Sequence, residues 1–393
     1  MTRSHNQAGR NATIAGGADE LSRSICREPA RRLRIAQVAP LFEPVPPLLY
    51  GGTERIVSFL TEGLVRRGHD VTLFASGESR TSAKLVVARE KALRLYDGLK
   101  SETAAHLSML HEVRKRADEF DVIHVHLSHF VHFPFLEDFA DKTLTTPHGR
   151  LDYVDLASAY ARWRDFPMVS ISDRQRRPLP DARWLGTVYH GLPTRLYPRK
   201  QAGDGGYLAF LGRVSREKRP DRAIEIAKRV SMPLKIAAKV DAADKAYFRE
   251  VVEPMMNDDI EFVGEVDHEA KLELLSNAAA LLFPIDWPEP FGLVAIEAMA
   301  LGVPVIAWRE GAMPEVIDDG VTGFVVNSID EAVAAVARCR GLDRERIRPV
   351  FERRFSDERM VADYERVYDS MMNEREEWSH NRRQSTNGIS IQP

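Results

Sequence analysis

Two glutamates, Glu289 and Glu297, frame a segment whose residue types suit a charged carbohydrate. A Pro-Phe-Gly loop follows the first, and a helical pattern leads to the second. A helix N-terminus presents unpaired N–H groups and a partial positive charge, which favour a diphosphate, and carboxylates accept hydrogen bonds from sugar hydroxyls. The segment therefore predicts a sugar-nucleotide site, formed by Glu289, Phe291, Gly292, Leu293 and Glu297.

Basic residues in a second segment complement this site. Arg213 and Lys218 follow the first apolar run of the second half of the chain. Arginine makes bidentate bonds to phosphate oxygens, and lysine adds a compact charge. Basic loop residues are often only solvated. At the carboxyl end of a strand, opposite the acidic loop, we expect these two to stabilise a departing nucleoside diphosphate.

The first half of the chain carries further candidates. Gly51 and Gly52 precede a helical pattern, where the backbone can approach a phosphate or a sugar closely, although such a pair is often only a turn. His148 ends an apolar strand pattern. We expect its imidazole to bond a sugar hydroxyl and to share positive charge with the reacting centre. Packing at a strand end is the alternative.

Four histidines lie within residues 124–132. His124 and His126 share one face of a predicted strand, and His129 and His132 follow in the loop. Their spacing could bind zinc, but no acidic or thiol ligand accompanies them, which argues against a metal site. We interpret His126 and His129 as acceptor-side contacts, with a structural role as the alternative, and we assign no metal ligand in the chain.

Length and composition limit the function classes. A chain of 393 residues fits two domains of about 150 to 200 residues, and no apolar run reaches the roughly 18 residues of a membrane span. The net charge of −3 argues against nucleic acid as a partner. Without a signal-peptide h-region or a disulfide framework, the expected location is cytoplasmic. Arginines at 31–34 and 162–183 are either solvated or in contact with an anionic membrane face or an anionic acceptor.

Short β-branched apolar runs alternate with helical patterns twice along the chain, which is typical of βαβ units. The runs of the first half are Leu33–Ala39, Asp70–Ser76, Lys84–Ala88, Asp121–His126, Lys142–Thr146, Met168–Ser172 and Thr187–His190. Those of the second half are Tyr207–Gly212, Leu234–Val240, Ile260–Val263, Ala280–Pro284, Val303–Ala307 and Gly323–Val326. The sequence therefore predicts an α/β fold with two Rossmann-like, doubly wound domains that face each other across a cleft.

The turn-rich segment 193–206 is the predicted linker between these domains. The other expected parts are a disordered leader at 1–32, an acceptor-side domain at 33–192, a nucleotide-sugar-binding domain at 207–355, a closing helix at 356–376 that returns to the N-terminal domain, and a disordered tail at 377–393.

Two motifs of other enzyme classes do not occur in the sequence. No Gly-x-Gly-x-x-Gly follows the first strand, which argues against a nicotinamide or flavin dehydrogenase. No Asp-x-Asp pair is present for a metal that grips a diphosphate. We therefore expect protein cations to neutralise the diphosphate, with no metal and no cofactor.

The chain resembles the retaining glycosyltransferases of family 4 in four motifs that occur in the same order: Gly51-Gly52, Pro147-His148-Gly149, Gly212-Arg213 with Lys218, and Glu289-Pro290-Phe291-Gly292 through Glu297. This specific resemblance spans residues 33–326. It implies the GT-B fold and transfer of a sugar from a UDP- or GDP-linked donor to an acceptor, with retained anomeric configuration and without a metal.

The resemblance also implies roles for single residues. Glu289 would contact the donor sugar, Glu297 the ribose, Arg213 and Lys218 the diphosphate, His148 and Gly52 the reacting sugar, and the loop Gly264-Glu265-Val266 the base. The predicted catalytic residues are His148, Arg213, Lys218 and Glu289. Two positions depart from the family pattern: Arg219 stands where glycine is common, and His190-Gly191 stands where Asn-Gly is common.

Other functions remain open at this point. A sugar-nucleotide epimerase or an α-glucan phosphorylase has the same fold, and a non-catalytic nucleotide-sugar-binding protein could keep these residues. The sequence does not identify the acceptor, which could be a glycan, a lipid-linked molecule or a small molecule, because variable loops set acceptor specificity.

Overall fold

The structure is a computed structural model that describes residues 31–48, 51–199 and 205–387, with side chains up to residue 377. Residues 1–30 of the predicted leader, 200–204 of the predicted linker and 388–393 of the predicted tail lie outside the described residues.

The first sheet has seven parallel strands in the order β3-β2-β1-β4-β5-β6-β7. Its central strands are buried on both faces, as expected for apolar runs that carry helices above and below. The strands are β1 Arg34–Val38, β2 Asp70–Ser76, β3 Lys84–Arg89, β4 Val122–Val125, β5 Thr143–Thr145, β6 Met168–Ser170 and β7 Trp184–Thr187.

The second sheet has six parallel strands in the order β10-β9-β8-β11-β12-β13. They are β8 Tyr207–Arg213, β9 Leu234–Lys239, β10 Ile260–Gly264, β11 Ala278–Phe283, β12 Val305–Trp308 and β13 Gly323–Val326. In both sheets the strand order reverses beside the first strand of the half, which is where ligand crevices form in such folds. The two sheets confirm the predicted pair of doubly wound α/β domains.

Helices cover the sheets and connect the strands. They are α1 Gly52–Arg66, α2 Glu102–Lys115, α3 Phe133–Leu136, α4 Val154–Tyr160, α5 Pro220–Arg229, α6 His268–Ser276, α7 Leu293–Ala300, α8 Met313–Val316, α9 Ile329–Cys339, α10 Ile347–Phe355 and α11 Asp357–Asn387, with a further short turn at Lys245–Tyr247. Side chains cap several of them: Ser101, Asp267 and Ser328 each accept a bond from a first-turn N–H. None of these helices is long and apolar enough to cross a bilayer.

The last strand of the first sheet differs from the sequence prediction. The predicted run Thr187–His190 is displaced, and the strand is Trp184–Thr187. Trp184 pairs with Met168, and its indole Nε1 donates to the carbonyl of Leu179 at 2.8 Å. The carbonyls of Tyr189 and His190 instead accept bonds from Arg359. The hydrophobic periodicity of the sequence could not reveal this shift, because the shift depends on Arg359 in helix α11, far along the chain.

The chain passes between the two halves at two adjacent points. Leu192 and Ser356 form a parallel bridge there, and a Cβ on Gly191 would lie 2.2 Å from the carbonyl oxygen of Ser356. Such close backbone contact explains the need for glycine after His190. Helix α11 then returns to the first half and packs against α1, and it continues to Asn387, beyond the end at residue 376 expected for the closing helix.

Candidate active site

A cleft of about 660 Å³ lies where the carboxyl ends of the two sheets face each other. It brings together residues that are far apart in the sequence. The predicted donor-side and catalytic residues that line it are Gly51, Gly52, His148, Arg213, Lys218, Val266, Glu289, Phe291, Gly292, Leu293 and Glu297. The predicted acceptor-side residues His126 and His129 are not part of this lining.

The two predicted phosphate-binding cations come from the end of β8 and the loop that follows it. Arg213 Nη1 lies 3.5 Å from Asp241 Oδ2. Lys218 is largely buried, forms an ion pair with Glu289, and places its ammonium 4.8 Å from the ring centre of Trp287. Cations held this way lose little entropy on meeting an anion, since their positions are already set.

Arg219 stands where the family often has glycine, and its backbone is left-handed, with φ 55° and ψ 51°. This conformation costs a non-glycine residue about 1–2 kcal/mol. The Arg219 guanidinium contacts the carboxylates of Asp221 and Asp286, each at 2.8 Å. These contacts offset the strain, so the loop after Lys218 reaches a conformation that glycine adopts freely.

The acidic loop is positioned by its own turn and by the opposite half. Gly292 has φ 91°, which favours glycine, and α7 begins at the next residue. Trp287 Nε1 donates to Glu289 Oε2 at 2.7 Å. Ser172, from the first half, donates to the carbonyl of Pro290 at 2.7 Å. The carboxylate of Glu289 thus lies beside Lys218 at the start of a helix.

Glu297 is buried and has three donors. Tyr197 OH donates to its Oε1 at 2.8 Å, Arg55 Nη1 lies 3.4 Å away, and Lys271 forms an ion pair with the same oxygen. Burial raises the pKa of this carboxyl, but the charges of Lys271 and Arg55 and the hydrogen bonds lower it further, so the net pKa lies below its usual value. Glu297 is therefore ionised at neutral pH.

The sequence pattern does not reveal these partners of Glu297. Tyr197 lies in the predicted linker, and Lys271 lies in a short helix among leucines, where a lysine is normally a solvated residue. Arg55 follows the Gly-Gly segment and reaches across the cleft. Its place in the first turn of α1 was a weak signal, because that end of the helix lies at the cleft.

His148 lies in the cleft between two other histidines, His126 and His190. Its Nε2 lies 2.9 Å from Nδ1 of His126, and its ring is parallel to that of His190, at 5.1 Å between centres. Burial lowers the pKa of His148 to about 3. The neutral ring is therefore favoured, which differs from the shared positive charge expected from the sequence.

The two histidines predicted on the acceptor side occupy different places. His126 is buried behind His148, away from the cleft lining. His129 is exposed and lies against Tyr153, with ring centres 5.5 Å apart. The two histidines therefore do not share a surface, because the strand turns His126 inward and the loop turns His129 outward, and their assignment as acceptor contacts stays a prediction. In the described part of the chain, no three His, Cys, Asp or Glu side chains converge as metal ligands.

Comparison with known proteins assigns this arrangement to a family. Residues 50–175 match the family model described as Glycosyltransferase Family 4, and residues 198–341 match the model described as Glycosyl transferases group 1. The chain belongs to glycosyltransferase family 4. It is thus a glycosyltransferase, and the identification rests on both halves of the chain.

Two curated relatives of this glycosyltransferase show the extent of the likeness. It is 25% identical to the N-acetyl-alpha-D-glucosaminyl L-malate synthase of Bacillus anthracis, over 81% of this chain and 93% of that protein. It is 31% identical to the D-inositol 3-phosphate glycosyltransferase of Mycolicibacterium smegmatis, over 42% of this chain and 37% of that protein.

Solved structures show that the glycosyltransferase has the GT-B fold. AviGT4, a glycosyltransferase involved in avilamycin A biosynthesis, superposes with a TM-score of 0.67 at 24% identity, covering 87% of this chain and 98% of AviGT4. HepE of Anabaena, solved with UDP and glucose, superposes with a TM-score of 0.68 at 15% identity, covering 86% of this chain and all of HepE.

Proposed function

We propose that this glycosyltransferase moves a sugar from a nucleoside-diphosphate sugar to an acceptor, with retention of the anomeric configuration and without a metal ion. The observation that carries the proposal is the meeting of Arg213 and Lys218 with Glu289 and Glu297 in one cleft. The two cations suit a diphosphate, and the two carboxylates suit the hydroxyls of a sugar and a ribose.

In this proposal, stabilisation of the leaving group makes the main contribution to catalysis. Arg213 and Lys218 would hold the charge that develops on the diphosphate as the glycosidic bond breaks, and the N–H groups at the start of α7 would add to it. Lys218 pairs with Glu289 in the cleft. An arriving diphosphate would share this lysine, while Glu289 accepts hydroxyl hydrogens of the sugar.

Retention in this proposal follows from attack on the same face of the sugar. The acceptor hydroxyl would approach beside the leaving phosphate, which takes the hydroxyl proton as the new bond forms. No enzyme carboxylate then needs to act as a nucleophile. The cleft would supply orientation and electrostatic support for both groups.

Uridine diphosphate is the first donor carrier to test. HepE, of the same fold, was solved with UDP and with UDP-glucose, and the diphosphate clamp described above would serve a guanosine carrier equally well. The acceptor stays open in this proposal, as a glycan, a lipid-linked molecule or a small molecule.

The proposed setting is the cytoplasm, and the proposed chemistry does not require a membrane. Several arginines considered for membrane contact already pair with carboxylates: Arg31 with Glu376, Arg34 with Asp121, Arg176 with Asp173 and Arg183 with Glu374. Such pairing reduces the positive charge that these segments offer to anionic lipid.

The test combines thermal unfolding with turnover assays. UDP, GDP and ADP, with their glucose conjugates, are added to the wild type, to Lys218→Ala and to the control Lys235→Ala, whose lysine pairs with Glu261 outside the cleft. A carrier at 100 times its Kd should stabilise the wild type by about 2.7 kcal/mol. Lys218→Ala should reduce turnover of the donor by about a hundredfold, roughly 3 kcal/mol in the barrier, and the control should not.

Three outcomes would contradict the proposal. Near-normal turnover by Lys218→Ala would remove the diphosphate role. Conversion of the donor to an epimer in the absence of any acceptor would indicate an epimerase. Stabilisation by a nucleotide sugar without hydrolysis or transfer to a panel of acceptors would indicate a binding protein.

A further inference from the structure

A chain of buried hydrogen bonds leads from His148, at the cleft, to the closing helix α11. Nε2 of His148 lies 2.9 Å from Nδ1 of His126, and Nε2 of His126 lies 2.7 Å from Oε1 of Gln37. Nε2 of Gln37 donates to the hydroxyl of Tyr368 at 3.3 Å. His126, Gln37 and Tyr368 are fully or almost fully buried, and none of them lines the cleft.

The same tyrosine hydroxyl joins a second branch. It lies 2.7 Å from Nδ1 of His124, whose Nε2 lies 2.8 Å from Oγ1 of Thr146. Thr146 in turn lies 3.2 Å from the hydroxyl of Tyr364. Each of these groups has a partner on at least one side, so the direction of donation at one bond limits the direction at its neighbours.

Donation along this chain of hydrogen bonds can run from His148 toward α11 or from α11 toward His148. The position of the hydrogen on His148 distinguishes these two arrangements. If Gln37 Oε1 accepts from His126, then Nδ1 of His126 must accept from Nε2–H of His148. The reverse direction would place a hydrogen on Nδ1 of His148. That atom is buried and has no hydrogen-bond partner among the described residues.

A buried N–H without an acceptor is rarer and more costly than an acceptor without a donor. If each group donates in the direction away from His148, the last group of the chain, the hydroxyl of Tyr364, keeps a hydrogen that no other group of the chain accepts. A hydroxyl hydrogen can rotate toward another acceptor, whereas a ring N–H is fixed in the plane of the imidazole. The favoured direction therefore places the hydrogen of His148 on Nε2.

We propose that His126 and Gln37 are positioning residues that hold His148 as a neutral imidazole with its hydrogen on Nε2. This inference rests on the proposed function for its catalytic meaning. The hydrogen of His148 is committed to His126, and its Nδ1 is buried, so the ring offers the cleft neither a charge nor an N–H. His148 would then line the sugar site as an uncharged ring, not as a donor or a cation.

The stacked rings make this orientation rigid. His190 lies parallel to His148, at an interplanar angle of 15°, and its other neighbour is Phe291 of the acidic loop, with ring centres 4.9 Å apart. His148 is thus held at its edge by His126 and at its face by a residue in contact with the second domain. Rigid placement of a group that meets the substrate lowers the barrier because the orientation is set before binding.

The tautomer can be measured directly on the full chain labelled with 15N-histidine. Signals of His148 and His126 are assigned by their loss in His148→Ala and His126→Phe. In the wild type at neutral pH, we expect His148 to show one protonated nitrogen, Nε2, and one unprotonated nitrogen, Nδ1. A hydrogen on Nδ1, or protonation of both nitrogens, would overturn the proposal whether or not the protein is active.

The variants test whether His126 acts through His148. His126→Phe removes both nitrogens and should change the His148 signals, whereas His132→Phe, an equally buried histidine bonded to Thr145, should not. If His126→Phe does not fold, Gln37→Leu tests the same link. Unchanged His148 signals in a folded variant of either kind would refute the positioning role.

A double-mutant cycle with the donor assay separates positioning from general stability. With UDP-glucose as the probe, His126→Phe should lower turnover by about tenfold in the wild type and cause no further loss in the His148→Ala background. Equal losses in both backgrounds would show a structural role only. If no donor turns over in the wild type, the proposed function fails, while the tautomer measurement still decides the inference.

Discussion

Glu54 is the residue whose burial has the clearest thermodynamic consequence. It lies in the first turn of α1, next to the Gly51-Gly52 pair, with a relative exposure of 4%. Burial raises the pKa of this carboxyl to about 7, despite bonds from backbone N–H groups and the nearby charge of Arg94. At neutral pH the folded state therefore binds this proton more tightly than the unfolded chain does.

The sign of the resulting pH dependence follows from proton linkage. The folded pKa is above the unfolded value of about 4.5, so the contribution is fully present below pH 4.5 and is lost as the pH rises through 7. Glu54→Gln should remove this loss of stability at high pH, because a glutamine does not titrate. Relative to the wild type, its free energy of unfolding should rise by about 3 kcal/mol between about pH 4 and pH 8, as measured by urea denaturation.

Glu62 in the same helix is the matched control for Glu54. Although burial raises its pKa, bonds from Ser82 and Thr81 lower it below its usual value. Glu62→Gln should therefore lose stability relative to the wild type as the pH rises from the folded pKa to the unfolded value of about 4.5, and the difference should stay constant above it, the opposite trend. A gap between Glu54→Gln and the wild type that stays constant with pH would contradict the assignment of a raised pKa to Glu54.

Among the elements, α1 and α11 pack with unusually close backbone approach. Gly63 lies in the interior of α1, where glycine normally lowers helix stability. A Cβ at this position would lie 2.3 Å from Cγ2 of Val361 in α11. The glycine therefore permits the contact that brings the closing helix, and with it Tyr368, against the first sheet.

Gly63→Ala should destabilise the protein. An alanine would gain up to about 1 kcal/mol of helix propensity, but overpacking against Val361 typically costs about 1–3 kcal/mol. We expect a net loss in urea unfolding. Adding Val361→Ala should remove the clash, so that the double variant is more stable than the sum of the two single changes predicts. Additive effects would show that the two side chains do not compete for this space.

Over the whole molecule, hydrogen bonds across the cleft keep the two domains close. The carboxylate of Glu315, in the second domain, accepts bonds from the backbone N–H groups of Asp173 and Arg174 at 2.8 and 2.7 Å. Arg55 reaches Glu297 from the other side of the cleft. These contacts form between residues near the two points where the chain crosses between domains, so small rotations there would open the cleft.

Glu315→Ala should favour an open arrangement. Loss of the two bonds would leave the N–H groups of Asp173 and Arg174 to water, and small-angle scattering should show a larger radius of gyration for the variant without ligand. The control is Glu310→Ala, from the preceding turn. A nucleotide-sugar donor should reduce the difference in radius of gyration between Glu315→Ala and the wild type, because it closes the cleft in both. Identical scattering profiles for the wild type with and without donor would argue against closure.

Sequence patterns alone predicted the two-sheet architecture and grouped the predicted donor-side residues in one cleft. Apolar runs, helical spacing and turn residues are local features that indicate strands and helices. All six apolar runs of the second half of the chain correspond to strands. Loop residues at the carboxyl ends of parallel strands necessarily face one crevice, which is why Arg213, Lys218, Glu289 and Glu297 could be grouped before any coordinates. Their roles in catalysis remain predictions.

The groups that these residues contact depend on tertiary packing. Several features of the site depend on residues separated by up to several hundred positions. They are the contacts of Glu297 with Lys271, Tyr197 and Arg55, the displaced strand at Trp184, the outward turn of His129, and the link from His148 through His126 and Gln37 to Tyr368. Local patterns carry no information on such pairs, because packing of helices and sheets sets their distances, and burial then sets their protonation.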